Sequence, residues 1–273
     1  MRFAKGVTAA IDNVLLKVEN LSVGYKSRPV IQDINFNVEA GKIYSVIGPN
    51  GCGKTTLMRA MSRNLKPSAG TILLNGKNLF KTNTKAVART IAVLSQNNRI
   101  MSEVTVRTLV QYGRYAYQDW WRGKSKEDED IVDWAIEKAS LQGFEDRKLS
   151  TMSGGEQQRA WIAMSIAQKP KLLLLDEPTT FLDISHQLEI MELVTRLNRE
   201  DGITIVMVLH DINHAARFAD ELLVINNHRV FMQGDPWKVL ESNVLEEVFR
   251  VDAEITRDSQ SEKPIFYARR VVR

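Results

Sequence analysis

Apolar residues follow two patterns along this chain, and the first pattern extends up to Gly76. There, short β-rich segments alternate apolar with polar residues and are separated by turn signals such as Asn75-Gly76. Alternation places the apolar side chains on one face of a strand, as in an antiparallel sheet. We therefore predict antiparallel strands over NVLLKVENLSVGY, INFNVEA, KIYSVIG and GTILLNG.

The second pattern starts at residue 53 and overlaps the end of the first. In it, predicted helices alternate with strands that are apolar almost throughout. Such strands are typical of a parallel sheet that helices cover on both faces. They are IAVLS at 91–95, KLLLLD at 171–176, ITIVMVLH at 203–210 and ELLVIN at 221–226. The sequence therefore predicts an α/β fold, in which a parallel sheet is flanked by helices and an antiparallel β subdomain is added.

No strand is predicted between residues 97 and 152, where the pattern indicates an inserted helical subdomain. Ser125 and Asp128 predict the start of a helix over DIVDWAIEKAS. Within this helix, Ile131, Trp134 and Ala135 share a face that we expect to be buried.

Two polar segments have simpler interpretations. We expect the acidic run at residues 127–130 to be a solvated first turn that the helix dipole favours. The final segment, DSQSEKPIFYARRVVR, predicts a turn followed by a short terminal strand.

Composition narrows the class of protein. The chain has 273 residues, 44% of them apolar, which is enough to bury a substantial core. Its longest apolar run, ITIVMVL, is far shorter than the roughly 20 residues needed to cross a bilayer. The N-terminus lacks the apolar stretch of a secretory signal, and a single cysteine, Cys52, excludes an internal disulfide. We expect a globular protein that stays in the cytosol.

The net charge of +4 does not by itself indicate a protein that binds nucleic acid. The 37 Lys and Arg residues are interleaved with 33 Asp and Glu residues. The sequence contains no cluster of basic residues that alternate with aromatic residues. Mild basicity also suits a protein that works beside an anionic membrane surface. We therefore expect no nucleic acid among its partners.

GPNGCGKTT, at residues 48–56, has the spacing of a phosphate-binding loop. It follows the apolar strand IYSVI and opens a predicted helix, which is the context that such a loop requires. Its glycines turn backbone N–H groups toward phosphate, Lys54 supplies positive charge for the β and γ oxygens, and the Thr55 hydroxyl can ligate Mg²⁺. The alternative is a glycine-rich turn without a ligand, and the flanking strand and helix argue against it.

Two acids end the apolar strand of LLLLDEP at the edge where a parallel sheet binds ligands. Asp176 is placed to hold Mg²⁺ through its water shell, and Glu177 to polarise an attacking water. An Asp-Glu pair alone is often a solvated strand end. Together with a phosphate loop, the pair indicates a hydrolytic site.

His210 and Gln96 also follow predicted strands of the parallel sheet, in VMVLHD and IAVLSQ. We expect the His210 imidazole to hydrogen-bond the γ-phosphate or the water, although a single histidine is more often structural. The Gln96 amide can reach Mg²⁺ or the water, although it could equally hydrogen-bond within its loop. Tyr25, after a strand, is by itself interpreted as a core residue.

A second segment suited to an anion is TMSGGEQQRAW, at residues 151–161. Ser153, Gly154 and Gly155 come directly before a predicted helix, whose N-terminus favours negative charge. The chain thus carries two phosphate-binding segments about a hundred residues apart.

With the phosphate loop, Gln96, MSGGE, LLLLDEP and His210 in this order, residues 14–245 resemble the ATP-binding cassette (ABC) ATPases. The resemblance implies a single P-loop NTPase domain with a catalytic core at 14–97 and 153–245. It also implies a helical subdomain at 98–152 that ends at the signature loop, and a C-terminal extension at 246–273.

In this family the Ser-Gly-Gly segment is the signature loop, which binds the γ-phosphate of the nucleotide held by the other subunit. The resemblance therefore implies a head-to-tail homodimer that sandwiches two ATP molecules, each between Lys54 of one subunit and Ser153–Gly155 of its partner. It further implies that Tyr25 stacks on adenine and that Asp183 couples the two sites. Met152 and Glu156 stand where Leu and Gln are common, but neither change removes the serine hydroxyl or the glycines.

The expected site residues are therefore shared among three roles. Catalysis is expected from Glu177, His210 and Gln96, and Mg²⁺ binding from Thr55, Gln96 and Asp176. The expected nucleotide-binding residues are Tyr25, Gly48, Pro49, Asn50, Gly51, Cys52, Gly53, Lys54, Thr55, Thr56, Ser153, Gly154, Gly155, Glu156 and Asp183.

A narrower resemblance, carried by YGRYAY, RAWIAMSIAQ, DEPTTFLDISHQLEIMELV and VLHDINHAARFAD, is to the ATPases of iron–siderophore importers. It implies a peripheral subunit at the cytoplasmic face of the membrane, driving a permease that a separate substrate-binding protein loads. In this family the permease helix enters a groove for which residues 97–104 and the aromatics of YGRYAYQDWW are the local candidates. Such an aromatic cluster is more often subdomain core.

Other functions agree less well with the residues. Haem and cobalamin importers belong to the same subfamily and stay an alternative. Soluble ABC ATPases that act on DNA or ribosomes need a coiled-coil insertion or two cassettes in one chain, and neither is present in this sequence. A small-molecule P-loop kinase does not explain Ser-Gly-Gly before a helix, and Glu177 argues against a nucleotide sensor without turnover.

Overall fold

The computed structural model describes residues 13–25, 28–96, 103–117 and 125–273. They divide into two compact units, one of residues up to Thr82 together with Val206–Arg273, and the other of Asn83–Ile205. The predicted limits of core, helical subdomain and extension stay predictions.

The strands are β1 (Val14–Tyr25), β2 (Arg28–Glu39), β3 (Ile43–Ile47), β4 (Ala69–Leu74), β5 (Lys77–Asn78), β6 (Ile91–Leu94), β7 (Leu172–Asp176), β8 (Thr204–Val208), β9 (Glu221–Asn226), β10 (Arg229–Gly234), β11 (Val251–Arg257) and β12 (Pro264–Val271). The helices are α1 (Lys54–Met61), α2 (Thr84–Ala88), α3 (Val106–Tyr112), α4 (Lys126–Lys138), α5 (Gly154–Ala167), α6 (Ile184–Asp201), α7 (Ile212–Phe218), α8 (Pro236–Val239) and α9 (Ser242–Phe249). A short 3₁₀ helix spans Leu149–Thr151.

An antiparallel sheet in the first unit has the strand order β2-β1-β4-β5. β1 pairs in antiparallel register with β2 and β4. Leu16 and Val18 of β1 are buried, and so are Leu21 and Val23 after a register shift, because alternate side chains turn to one face of the sheet and the irregularity resets the alternation. The predicted antiparallel strands are thus confirmed for the segments that form β1, β2 and β4.

The prediction for KIYSVIG was wrong, because β3 belongs to a different sheet, in which it lies between β9 and β8. β3 pairs in parallel with β9, and all five of its residues are buried. The polar atoms of Tyr44 and Ser45 made this run resemble an alternating strand. Both are nevertheless buried, and the Tyr44 hydroxyl accepts a hydrogen bond from Glu39 N at 2.9 Å.

The second unit contains β6 and β7, which pair in parallel as predicted. Helix α5 packs against β6, α6, α3 and α4. Between 103 and 152, the described residues hold helices and one isolated bridge, Thr105–Lys148, but no strand. This part of the helical prediction is confirmed.

Helix α4 begins where the sequence indicates, because Ser125 Oγ accepts a hydrogen bond from Asp128 N at 3.1 Å. Its buried face differs from the predicted one. The buried residues are Val132, Ala135 and Ile136, whereas Ile131 and Trp134 are partly exposed. The i, i+3, i+4 spacing fixes a stripe but not its rotation toward the core, which depends on the neighbouring helices.

The expectation of a solvated acidic turn was wrong for Asp128, which pairs with the buried Arg114. Arg114 Nε donates to Asp128 Oδ1 at 2.8 Å, and Arg114 Nη1 donates to Ala167 O at the end of α5. Burial alone would raise the pKa of Asp128, but hydrogen bonds from Arg114 and Ser125 bring this pKa below its ordinary value. The ion pair therefore joins α4 to the turn that follows α3, and the hydrogen bond to Ala167 O joins this turn to the end of α5.

The C-terminal residues form more structure than the predicted terminal strand. β12 confirms that strand, and β11, which the sequence pattern did not indicate, pairs with it in antiparallel register. The Asn213 side chain fastens β12 to α7, because its Oδ1 accepts from Phe266 N at 3.0 Å and its Nδ2 donates to Phe266 O at 3.2 Å.

Among the residues that the structure describes, no helix combines the length and the apolarity that crossing a membrane requires.

We expect Arg114→Met to lower the free energy of unfolding by about 3 kcal/mol, because it leaves the mostly buried Asp128 carboxylate without its partner. Urea denaturation measures this loss. Arg107→Met removes a more exposed ion pair with Asp133 in the same unit and is the control, with an expected cost below about 1 kcal/mol.

The contribution of the Arg114–Asp128 pair depends on pH with a defined sign. The pKa of Asp128 is lowered in the folded state, so the pair stabilises the protein fully above the unfolded pKa of about 4. This stabilisation is lost as the pH falls through the folded pKa. Equal unfolding midpoints for the Arg114 and Arg107 variants at neutral pH would show that the pair contributes nothing special.

Candidate functional site

The predicted phosphate loop connects the buried strand β3 to helix α1, whose N-cap is Gly53. Gly48 has φ of 151°, and a Cβ there would lie 2.1 Å from the carbonyl oxygen of Ile225. Glycine is therefore required at this position, both for its backbone conformation and for the close approach of β9. The first turn of α1 then points its backbone N–H groups into the loop, as anion binding requires.

Lys54 holds a buried positive charge inside this loop. The residue is only 6% exposed. Its Nζ donates to Gly48 O at 2.7 Å and to Pro49 O at 3.0 Å. Both of these partners are neutral backbone carbonyl oxygens. A buried cation with neutral partners is costly without an anion, so the residues present fit a bound phosphate.

Cys52 is a buried thiol in the same loop, packed near Gly48. Burial raises the pKa of the Cys52 thiol, although the positive charge of Lys54 and backbone N–H groups work in the opposite direction. The thiol is therefore protonated at neutral pH, and a small neutral side chain fits its place in the loop.

Tyr25 and His210 lie in the same unit as the phosphate loop. Tyr25 is 42% exposed at the end of β1, so its interpretation as a core residue was wrong. Arg59 of α1 donates to the Tyr25 hydroxyl at 2.8 Å, which joins this ring to the helix that follows the loop. His210 is exposed two residues after the end of β8.

The second unit brings Gln96 and Glu177 together. Asp176, 8% exposed, is the last residue of β7, and Glu177 follows it with a positive φ of 55°. Gln96 Nε2 donates to Glu177 Oε2 at 2.5 Å, and Thr180 Oγ1 donates to the same oxygen at 3.1 Å. The Glu177 carboxylate is therefore held in one orientation by two neutral donors.

Ser153 starts helix α5 with a capping box. Glu156 N donates to Ser153 Oγ at 3.3 Å, and Ser153 N donates to Glu156 Oε2 at 2.7 Å. The bond from Ser153 N lowers the pKa of Glu156, and neighbouring arginines lower it further. The hydroxyl hydrogen of Ser153 and the N–H groups of Gly154 and Gly155, which helix geometry leaves without intrahelical partners, are the donors suited to an anion.

Two glutamines that sequence reasoning missed fix the position of this loop. Gln157 Nε2 donates to Leu149 O at 3.0 Å and to Met152 O at 2.9 Å. Gln158 Nε2 donates to Pro178 O at 2.8 Å, in the turn directly after Glu177. Nothing in the spacing of these residues indicates such long-range partners.

Asp183 is the N-cap of α6, and its partner His186 was also missed. Asp183 Oδ1 accepts hydrogen bonds from His186 N and Ser185 Oγ, each at 3.0 Å, and His186 Nδ1 lies 2.7 Å from the same oxygen. The backbone and side-chain bonds from His186 lower the pKa of Asp183. The Asp183–His186 spacing is a signal for the cap, but it does not reveal that the ring also lies against Gly155.

The predicted Mg²⁺ ligands do not form a protein-only metal site. Within the described ranges, no group of three or more His, Cys, Asp or Glu residues could hold a metal ion. Thr55 lies in the first unit, and Asp176 and Gln96 lie in the second. A hydroxyl, a carboxylate and an amide are each donors that suit Mg²⁺, and their joint use by one ion stays a prediction.

The candidate permease contacts are only partly described. Residues 97–102 and 118–121 lie outside the described residues. Of the remaining aromatics, Tyr115 is 62% exposed and stacks on Tyr112 with ring centroids 5.4 Å apart. The role of these rings stays a prediction.

Comparisons with known proteins identify the family. The family model described as ABC transporter matches residues 31–180, which include the phosphate loop, Gln96, the signature segment and Glu177. The chain is 44% identical over 250 residues to the iron(3+)-hydroxamate import ATP-binding protein FhuC of Bacillus subtilis (strain 168), covering 92% of this chain and 93% of that protein.

Solved structures share the fold. An inward-facing putative metal-chelate type ABC transporter matches with a TM-score of 0.82 and 27% identity, covering 94% of this chain and 98% of that chain. The ATP-binding cassette MJ0796, solved as a dimer bound to ADP and Pi, matches with a TM-score of 0.70 and 26% identity, covering 81% and 98%. The chain therefore belongs to the ABC transporter family.

Proposed function

We propose that this chain is the ATP-hydrolysing subunit of an importer for iron(III)–siderophore complexes, located at the cytoplasmic face of the membrane. The observation that carries the proposal is the orientation of the Glu177 carboxylate, which Gln96 and Thr180 hold directly after the buried acid Asp176. The similarity to an iron(3+)-hydroxamate import protein supports the class of transported compound.

The first unit supplies the nucleotide-binding residues. Lys54 offers its buried ammonium to the β- and γ-phosphates, and the N–H groups at the start of α1 surround them. The exposed ring of Tyr25 stacks on adenine. Mg²⁺, when bound through Thr55, Asp176 and Gln96, neutralises charge on the phosphate oxygens.

The second unit supplies the base for hydrolysis. Glu177 accepts a proton from the attacking water, and the two hydrogen bonds to its Oε2 fix the direction of the carboxylate. From the first unit, His210 hydrogen-bonds the γ-phosphate or the water. A carboxylate that is already oriented before the nucleotide arrives needs little reorganisation during the reaction.

The signature loop acts on the ATP of a partner subunit. Each chain has one phosphate loop and one signature loop. In a two-fold head-to-tail dimer, each phosphate loop faces the signature loop of the other chain, which gives two equivalent sites. The dimeric state of the similar cassette MJ0796 supports this arrangement. Permease subunits and a substrate-binding protein complete the importer and handle the transported compound.

Alkylation of Cys52 tests nucleotide binding at the phosphate loop. Because its pKa is raised, we expect iodoacetamide to react more slowly than with free cysteine at neutral pH, faster as the pH rises, and more slowly when ATP is present. Mass spectrometry follows the label. Cys52→Ser is the control for labelling elsewhere, and a fully alkylated protein with normal ATP affinity would contradict the proposed loop.

Glu177→Gln separates hydrolysis from binding. The substitution removes the base but keeps the size of the side chain, so we expect turnover to fall by at least about a hundredfold with ATP affinity unchanged. Phosphate release and nucleotide titration measure the two quantities. Glu192→Gln, at an exposed position of α6, is the control, and near wild-type hydrolysis by Glu177→Gln would remove Glu177 from this role.

A further inference from the structure

The ring of His186 is fixed against Asp183 at the start of α6. Oδ1 of Asp183 accepts two hydrogen bonds, from the backbone N of His186 and from Ser185, and lies 2.7 Å from His186 Nδ1. An ionised carboxylate only accepts hydrogen bonds, so Nδ1 carries the hydrogen in this contact. The Asp183 side chain is 66% exposed, yet these three contacts determine where its carboxylate points.

The opposite edge of the ring lies on the signature loop. A Cβ at Gly155 would come within 1.9 Å of His186 Cδ2 and 2.8 Å of Nε2, so glycine alone fits beneath the ring. The neighbouring Gly154 is less confined, because the nearest atom to a Cβ there is Leu182 Cδ2 at 3.5 Å. One imidazole thus touches both Gly155 and Asp183.

We propose that His186 is a positioning residue that fixes the spacing between the signature loop and Asp183. The inference rests on the proposed function, in which both features of one chain serve the nucleotide of the partner. A ring that is hydrogen-bonded at one edge and packed at the other makes the loop and the carboxylate shift together. In that proposed function Lys54 binds the nucleotide of its own chain, so loss of the ring affects turnover rather than ATP binding by Lys54.

Two substitutions separate the two contacts of the ring. His186→Asn keeps a side-chain N–H donor for Asp183 but removes the ring from Gly155, whereas His186→Phe keeps a ring and removes the donor. We expect each variant of the full-length chain to lower kcat about tenfold, with KM for ATP within about twofold of the wild type. His228→Asn, at an exposed turn position with φ of 67° that Asn tolerates, is the control with wild-type kcat.

A double substitution tests the contact with Gly155 directly. Gly155→Ala places a methyl group where the ring lies, so we expect it to lower kcat more than either His186 variant does. Combining Gly155→Ala with His186→Asn removes the clash, and we expect the double variant to hydrolyse ATP about tenfold faster than Gly155→Ala alone. A residue that acted only as a helix cap would give no such rescue.

The outcomes separate this inference from the proposed function. A wild-type chain without ATPase activity would contradict the proposed function itself. An active wild type whose two His186 variants keep kcat within about twofold would overturn the role of His186. So would a double variant no faster than Gly155→Ala alone, and this arm holds even where His186→Phe does not fold.

Discussion

Lys54 carries a buried positive charge whose hydrogen-bond partners, Gly48 O and Pro49 O, are neutral. Two neutral carbonyl oxygens compensate such a charge less well than an anion does, so the loop favours a bound phosphate. The local fold serves this requirement. β3 is buried along its whole length and ends at the loop, Gly48 allows β9 to approach, and α1 directs its N-terminus toward the same place.

The second unit is organised by hydrogen bonds that connect its functional segments. Gln96 holds Glu177, Gln158 of α5 holds the turn after Glu177, and His186 lies between Asp183 and Gly155. Each of these links is made by a single side chain. The ionised Glu156 occupies part of the α5 N-terminus. In the proposed function an incoming phosphate would therefore depend on Ser153 and on the remaining N–H groups.

The sequence was sufficient for features that depend on neighbouring residues. The phosphate loop, the caps at Ser125 and Ser153 and the apolar strands β7 and β8 all have short-range signals, and the structure contains each of them. Local sequence signals were not sufficient where a residue distant in sequence determines the burial or the pairing of a side chain. Ser45 could not be recognised as buried without β9 and β8 beside it, and Asp128 could not be separated from its solvated neighbours without Arg114. The contact between His186 and Gly155 joins residues about thirty positions apart, which no spacing rule anticipates.

The most direct measurement of the central claim, that one chain's signature loop serves its partner's ATP, uses two inactive variants. Lys54→Ala loses the phosphate-loop charge, and Ser153→Arg blocks the signature loop. A mixed dimer then has one intact composite site, and its other site carries both substitutions. Mixing should therefore raise the rate of hydrolysis above that of either variant alone, or at least allow each dimer to trap one ATP. Mixed dimers that are confirmed by differential tagging but trap no ATP would contradict the claim, because a chain that used its own signature loop could form no working site in any mixture.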